Sequence, residues 1–157
     1  MRRLLLLLSM GVVFLVWTAL GSAFAATTQG QLAADLGQRL GACDGNIAKA
    51  CDGKNPVACI AALRAAGIEP PGGWKPGQPV NSADLADLTE DLIEASKAGK
   101  ISCTPQQAVN ALANVSAAAG LGVWDIVAAA AGLGYYFPPT PPGGGGGGGG
   151  VVVSPSK

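Results

Sequence analysis

Between residues 30 and 137 the apolar positions recur every three or four residues, the period of a helix rather than a half-buried strand. Leu32, Leu36 and Leu40 make one stripe near residues 30–41. Asn55-Pro56 supplies an N-cap with proline at the first helical position, and the helix it opens carries Val57, Ile60 and Leu63. Gly67 followed by Ile68 has the form of a Schellman stop. Asn81 or Ser82 caps a third helix, with Leu85, Leu88, Leu92 and Ala95 on its inner face. Asp84, Asp87, Asp91 and Glu94 repeat the same spacing one residue earlier, and are expected to form a solvated acidic stripe. Lys97 and Lys100 suit the negative end of the helix dipole, and Gly99 is a stop. Thr104-Pro105-Gln106-Gln107 reads as a capping box with proline at its first position, ahead of Val109, Leu112, Val115 and Ala119.

The hexapeptide Ala-Ala-Ala-Gly-Leu-Gly occurs twice, at 117–122 and 129–134, each time with an aromatic residue shortly after: Trp124, then Tyr135, Tyr136 and Phe137. Residues 117–137 carry one charge, Asp125, which invites a membrane-inserting reading. Each Gly-Leu-Gly, however, has the grammar of a helix stop. A buried nine-residue helix over 123–131, closed below by the tyrosines and Phe137, is therefore the expected form. The predicted fold is all-α: a small disulfide-stapled bundle of four to five short helices over residues 26–137. A Pro/Gly connector at 69–80 divides it, with Trp74 either folded over the core edge or exposed as a contact residue.

The ends differ in kind. Arg2 and Arg3, an uncharged run over 4–20 and the small-residue site at 21–25 make a secretory signal peptide, cleaved between Ala25 and Ala26. Proline pairs and eight consecutive glycines make residues 138–157 a disordered Pro/Gly-rich tail. Removing residues 1–25 from the 157-residue chain leaves 132 residues and a net charge of −2, with no basic run and no stacking platform, so nucleic acid is not expected as a partner.

The chain has no histidine, which excludes Ser-His-Asp and Cys-His nucleophiles, histidine zinc sites and c-type haem attachment. Its four cysteines, Cys43, Cys51, Cys59 and Cys103, contain no close pair of the kind zinc and iron–sulfur sites use. No cofactor and no metal is expected. Asp44, Asn46 and Asp52 fail the EF-hand frame, and the two Cys-Asp-Gly runs read as turns flanking a short helical piece. Asn114-Val115-Ser116 has the glycosylation form but falls within a predicted helix. An even set of cysteines in an exported chain implies disulfides. The expected pairing is Cys43–Cys51 across the small turn and Cys59–Cys103 between the two halves. The function expected is that of an exported, non-catalytic binding or structural component of the cell envelope or surface, periplasmic or extracellular, with a protein or envelope partner. Trp74, Trp124, Tyr135 and Tyr136 are its candidate contact residues. Membrane association through 117–137 and a thiol-redox or carboxylate enzyme are the alternatives.

Overall fold

A computed structural model describes residues 26–53, 55–136 and 154–155. Six helices lie within them: α1 Gln29–Leu40, α2 Gly45–Ala50, α3 Pro56–Ala65, α4 Ser82–Lys97, α5 Pro105–Ala118 and α6 Trp124–Gly132. The expected signal peptide and most of the expected tail fall outside the described residues. Of the tail, Ser154–Pro155 forms β2, which pairs antiparallel with β1, Tyr135–Tyr136.

Short polar side chains fix most helix starts. Capping boxes open α4 through Asn81 and Asp84 and α5 through Thr104 and Gln107. A third, missed above, opens α1, where Thr28 accepts from the Gln31 N–H and the Gln31 side chain reaches back to the Thr28 N–H at 3.0 Å. The Asn55 Oδ1 accepts from the N–H groups of Val57 and Ala58 at the start of α3. Glycines in the left-handed region end three of the helices: Gly67 after α3, Gly99 after α4 and Gly120 after α5. Behind them the N–H groups of Ile68 and Leu121 return to the carbonyls of Leu63 and Ser116 at 2.9 and 2.8 Å. The second repeat behaves differently: α6 runs through Gly132, and Gly134 takes the left-handed position expected of Gly132.

Helix α1 is the hub. Its Leu32, Ala33, Leu36 and Leu40 are fully buried, and it packs on α2 and α3 to one side and on α5 to the other. Helix α4 packs on α5 and α6. The molecule thus has two halves, α1–α3 and α4–α6, joined through α1 and α5. Helix α3 faces the core with Leu63 and Cys59, Ile60 packs at its edge, and of its apolar residues Val57, in the first turn, is 71% exposed.

The connector is tied down rather than loose. Gln29 and Gly30 donate backbone N–H groups to the carbonyls of Gln78 and Pro76, and Val80 donates to Thr27. The buried Gln29 side chain completes the strap, accepting from the Lys75 N–H at 2.8 Å and donating to Asp84 of α4 at 3.0 Å. A Cβ at Gly30 would lie 2.9 Å from the Pro76 carbonyl oxygen, so only glycine admits this close approach.

The disulfides are Cys43–Cys103 and Cys51–Cys59. This corrects the expected pairing of Cys43 with Cys51 and Cys59 with Cys103. Helix α2 stands between Cys43 and Cys51, and at about 1.5 Å of rise per residue it sets their Cα atoms beyond the range of about 4.4–6.8 Å that a disulfide spans. Across the turn after α2, Cys51 meets Cys59 on the first turns of α3, with Cα atoms 4.5 Å apart. This bond seats on the bare backbone of α1. A Cβ at Gly37 would overlap both sulfurs and lie 2.8 Å from the Cys51 Cβ.

Two outcomes follow. Gly-to-Ala exchange in a helix ordinarily stabilises by up to about 1 kcal/mol. Gly37→Ala should do the reverse, destabilising by about 1–3 kcal/mol of overpacking in denaturant unfolding. Trypsin places the four cysteines in four peptides, because Arg39, Lys49, Lys54, Arg64 and Lys100 separate them. A non-reducing digest should therefore yield peptide 40–49 joined to the one beginning at Ile101, and 50–54 joined to 55–64.

Candidate functional site

The cysteine-rich segment builds a joint. Asp44 is buried beside Cys43, and both of its carboxylate oxygens are occupied. Its Oδ1 accepts from the N–H groups of Asn46 and Ile47 at 2.9 and 3.0 Å, capping α2. Its Oδ2 accepts from the Ser102 N–H at 2.8 Å, across the joint and next to Cys103. These N–H donors, Ile47 first and Ser102 second, hold the Asp44 carboxyl below its ordinary value against the opposing effect of burial. The carboxylate is therefore a structural anchor, and the oxygen-rich run it belongs to is committed to backbone.

The acidic stripe of α4 is only partly a solvated face. Asp84 is buried, accepting from Gln29 and from the Asn81 N–H. Asp91 is half-buried and accepts from the Glu69 N–H at 3.1 Å, fastening the connector to α4. Burial raises the Asp91 carboxyl, with added repulsion from Asp87, Glu94 and Glu69, against the lowering effect of the Glu69 N–H. Two residues expected in solvent thus hold the halves together, because the stripe lies beside α1 and the connector.

The expected contact residues are not gathered in one place. Trp74 is buried and its indole N–H donates to the Ile68 carbonyl at 2.9 Å, so its role is to seal the core under the connector. Trp124, at the start of α6, is 74% exposed. Tyr135 is half-buried, with the Lys97 ammonium 5.5 Å from its ring centroid. Tyr136 belongs to β1, Ala26 is exposed as the first described residue, and Ala25 lies outside them. Within residues 117–136 the chain breaks between α5 and α6, and among the described residues no helix is long and apolar enough to cross a membrane.

Sequence reasoning missed the concave surface. A groove of about 810 Å³ runs between the outer face of α1 and the end of α5. Gln31, Asp35, Gln38 and Arg39 form its polar wall, and Val115 and Ala118 its apolar one. The signal was present as the polar Gln31, Asp35 and Arg39, spaced i, i+4, i+8 and flanking the α1 leucine stripe at about 100° around the helix. A smaller apolar recess of about 410 Å³ lies beside the Cys51–Cys59 bond, under Pro56 and Pro76. Ser116, the last residue of the sequon, is buried on α5, and its Oγ has no hydrogen-bond partner among the described residues. No protein-family model matches the chain, and no curated protein or solved structure is significantly similar to it.

Two substitutions test these assignments. The lowered Asp44 carboxyl contributes stability that is complete above its unfolded value of 3.8 and is lost as pH falls through the folded value. The difference in unfolding free energy between wild type and Asp44→Asn should therefore be constant from neutral pH to about 4 and shrink below it. At neutral pH the loss should be about 2 kcal/mol or more, since a cap and a cross-joint bond go together. Ser116→Ala removes a buried hydroxyl that has no partner, and should leave thermal stability unchanged or raise it by up to about 1 kcal/mol.

Proposed function

We propose that this chain is a small exported module of the cell envelope or surface that acts by binding, without chemistry of its own. The observation that carries the proposal is the state of its reactive groups. No cysteine among the described residues is free, so no thiol is left for redox or nucleophilic work. Of the five buried polar side chains among the described residues, Gln29, Asp44, Asp84 and Thr89 hold the fold and Ser116 lies unpartnered on α5, and the chain contains no histidine. Two disulfides suit an oxidising compartment, in agreement with the leader at residues 1–25. The groove between α1 and α5 is the surface best suited to a partner. Its amides and the Asp35 and Arg39 charges offer directional contacts, and the α5 wall offers an apolar one.

Two measurements test this. Mass spectrometry of the exported protein should show a chain beginning at Ala26 and four hydrogens lighter than its reduced form. Retention of residues 1–25, or free thiols, would contradict export and oxidation. Cross-linking in the intact envelope should capture a partner with the wild-type chain and lose it with Arg39→Glu, an exposed exchange that leaves the fold intact. Capture that is indifferent to Arg39→Glu would remove the groove from the account.

A further inference from the structure

On the premise of the export proposed above, we infer that Asn114 is an N-glycosylation site, modified before α5 packs. Asn114-Val115-Ser116 is the one Asn-x-Ser/Thr run in the chain, and its central residue is not proline. Such runs are common by chance, and it is the serine that sets this one apart. Ser116 is fully buried on α5, and its Oγ has no hydrogen-bond partner among the described residues. Thr89 and Ser96, the hydroxyls at buried or half-buried positions of α4, instead donate to the carbonyls of Leu85 and Leu92 at 2.7 Å. A buried hydroxyl left unpaired gives up its bonds to water and gains none in return. The other small buried positions of α5 are alanines, Ala108, Ala111 and Ala113. Ser116 thus gives the fold nothing that alanine would not supply at less cost. Its hydroxyl is accounted for by use before the fold closes, as the hydroxyl a glycosyl transferase reads two residues after the acceptor asparagine.

The order of the chain leaves time for this. Helix α5 packs on α1, α4 and α6, and α6 follows it in sequence. A chain exported N-terminus first presents residues 114–116 while α6 is still to come, with both side chains accessible. The donor is a sugar carried on a lipid diphosphate. The Asn114 Nδ2 bonds to the anomeric carbon of that sugar, and the bond from this carbon to the diphosphate oxygen breaks. One proton leaves Nδ2, and the lipid diphosphate departs with the bonding electron pair.

The folded product has room for the sugar. Asn114 is half-buried and lines a surface recess of about 310 Å³ between α1 and α5, with Arg39, Gln107 and Asn110 around it. The amides and the guanidinium are the groups that sugar hydroxyls bond. Cys43 lines the same recess and is half-buried, whereas Cys51, Cys59 and Cys103 are buried. A glycan leaving Asn114 therefore lies beside the more accessible end of the Cys43–Cys103 bond.

The test uses the full chain exported by its own host, reduced and digested with trypsin. Peptide-N-glycosidase in heavy-oxygen water should release a glycan from the peptide beginning at Ile101 and leave a labelled aspartate at position 114. Asn114→Gln should lose the glycan entirely. Ser116→Ala should lose it too, with circular dichroism unchanged and a melting temperature no lower than that of the wild type. Ser116→Thr should keep it, because transfer precedes folding whatever the added methyl group does to the core. An unmodified Asn114 in a chain beginning at Ala26 would overturn the inference and leave export standing. An unmodified Asn114 in a chain that retains residues 1–25 would overturn both. A glycan that persists in Ser116→Ala, or is lost in Ser116→Thr, would remove the role given to the buried hydroxyl and equally overturn the inference.

Discussion

One carboxylate, flanked by one disulfide, sets the geometry of the rest. Asp44 caps α2 with one oxygen and grips the Ser102 N–H with the other, while Cys43 beside it is bonded to Cys103. The direction given to α2 returns Cys51 to the edge of α1, where Cys59 meets it. The hold on Ser102 places Thr104 to cap α5, the helix through which the second half meets α1. Disrupting the joint therefore disturbs the staple on one side and the start of a core helix on the other. The arrangement works because its three donors are backbone N–H groups at helix and turn positions, whose directions the chain itself fixes.

Helix α1 is the surface against which this joint closes, and its glycines decide how closely. Gly30 admits the Pro76 carbonyl, Gly37 admits the Cys51–Cys59 bond, and a Cβ at Gly41 would stand 3.0 Å from the Ala48 Cα of α2. None of the three takes a left-handed conformation, so each is required by space and not by backbone angle. Among the described residues the buried core is built of Leu, Ile, Val, Ala and Cys, with Trp74 as its buried aromatic ring. Close backbone approach and covalent closure take the place of the apolar bulk that larger domains bury.

The parts legible in the sequence are those written in local chemistry. Thr104 with Gln107, Asn55 with Pro56, Gly67 with Ile68 and the leucine stripes each act within one or two turns, and the helices begin, end and face as they dictate. The box at Thr28 and Gln31 has the same grammar and was available to be read. What was not legible depends on which elements meet. Asp84 and Asp91 look like a solvated stripe until α1 and the connector cover them. Val57 reads as one more apolar residue of its helix, yet in the first turn it stays exposed while Cys59 and Leu63 take the core side. The disulfide pairing lay between these cases: Asp44 as an N-cap already implied a helix that separates Cys43 from Cys51. The groove between α1 and α5, which carries the functional proposal, arises only from packing.

The most direct test compares the two crosslinks by denaturant unfolding of paired Cys→Ser variants. The Cys43–Cys103 bond closes a separation of 60 residues and Cys51–Cys59 one of 8. Chain entropy assigns them about 4 and about 2.5 kcal/mol, and the shared joint at Asp44 widens the gap. Cys43→Ser with Cys103→Ser should therefore destabilise the protein more than Cys51→Ser with Cys59→Ser, by about 2 kcal/mol. Equal losses, or a larger loss from the short crosslink, would contradict the claim that the fold depends on the joint between its halves.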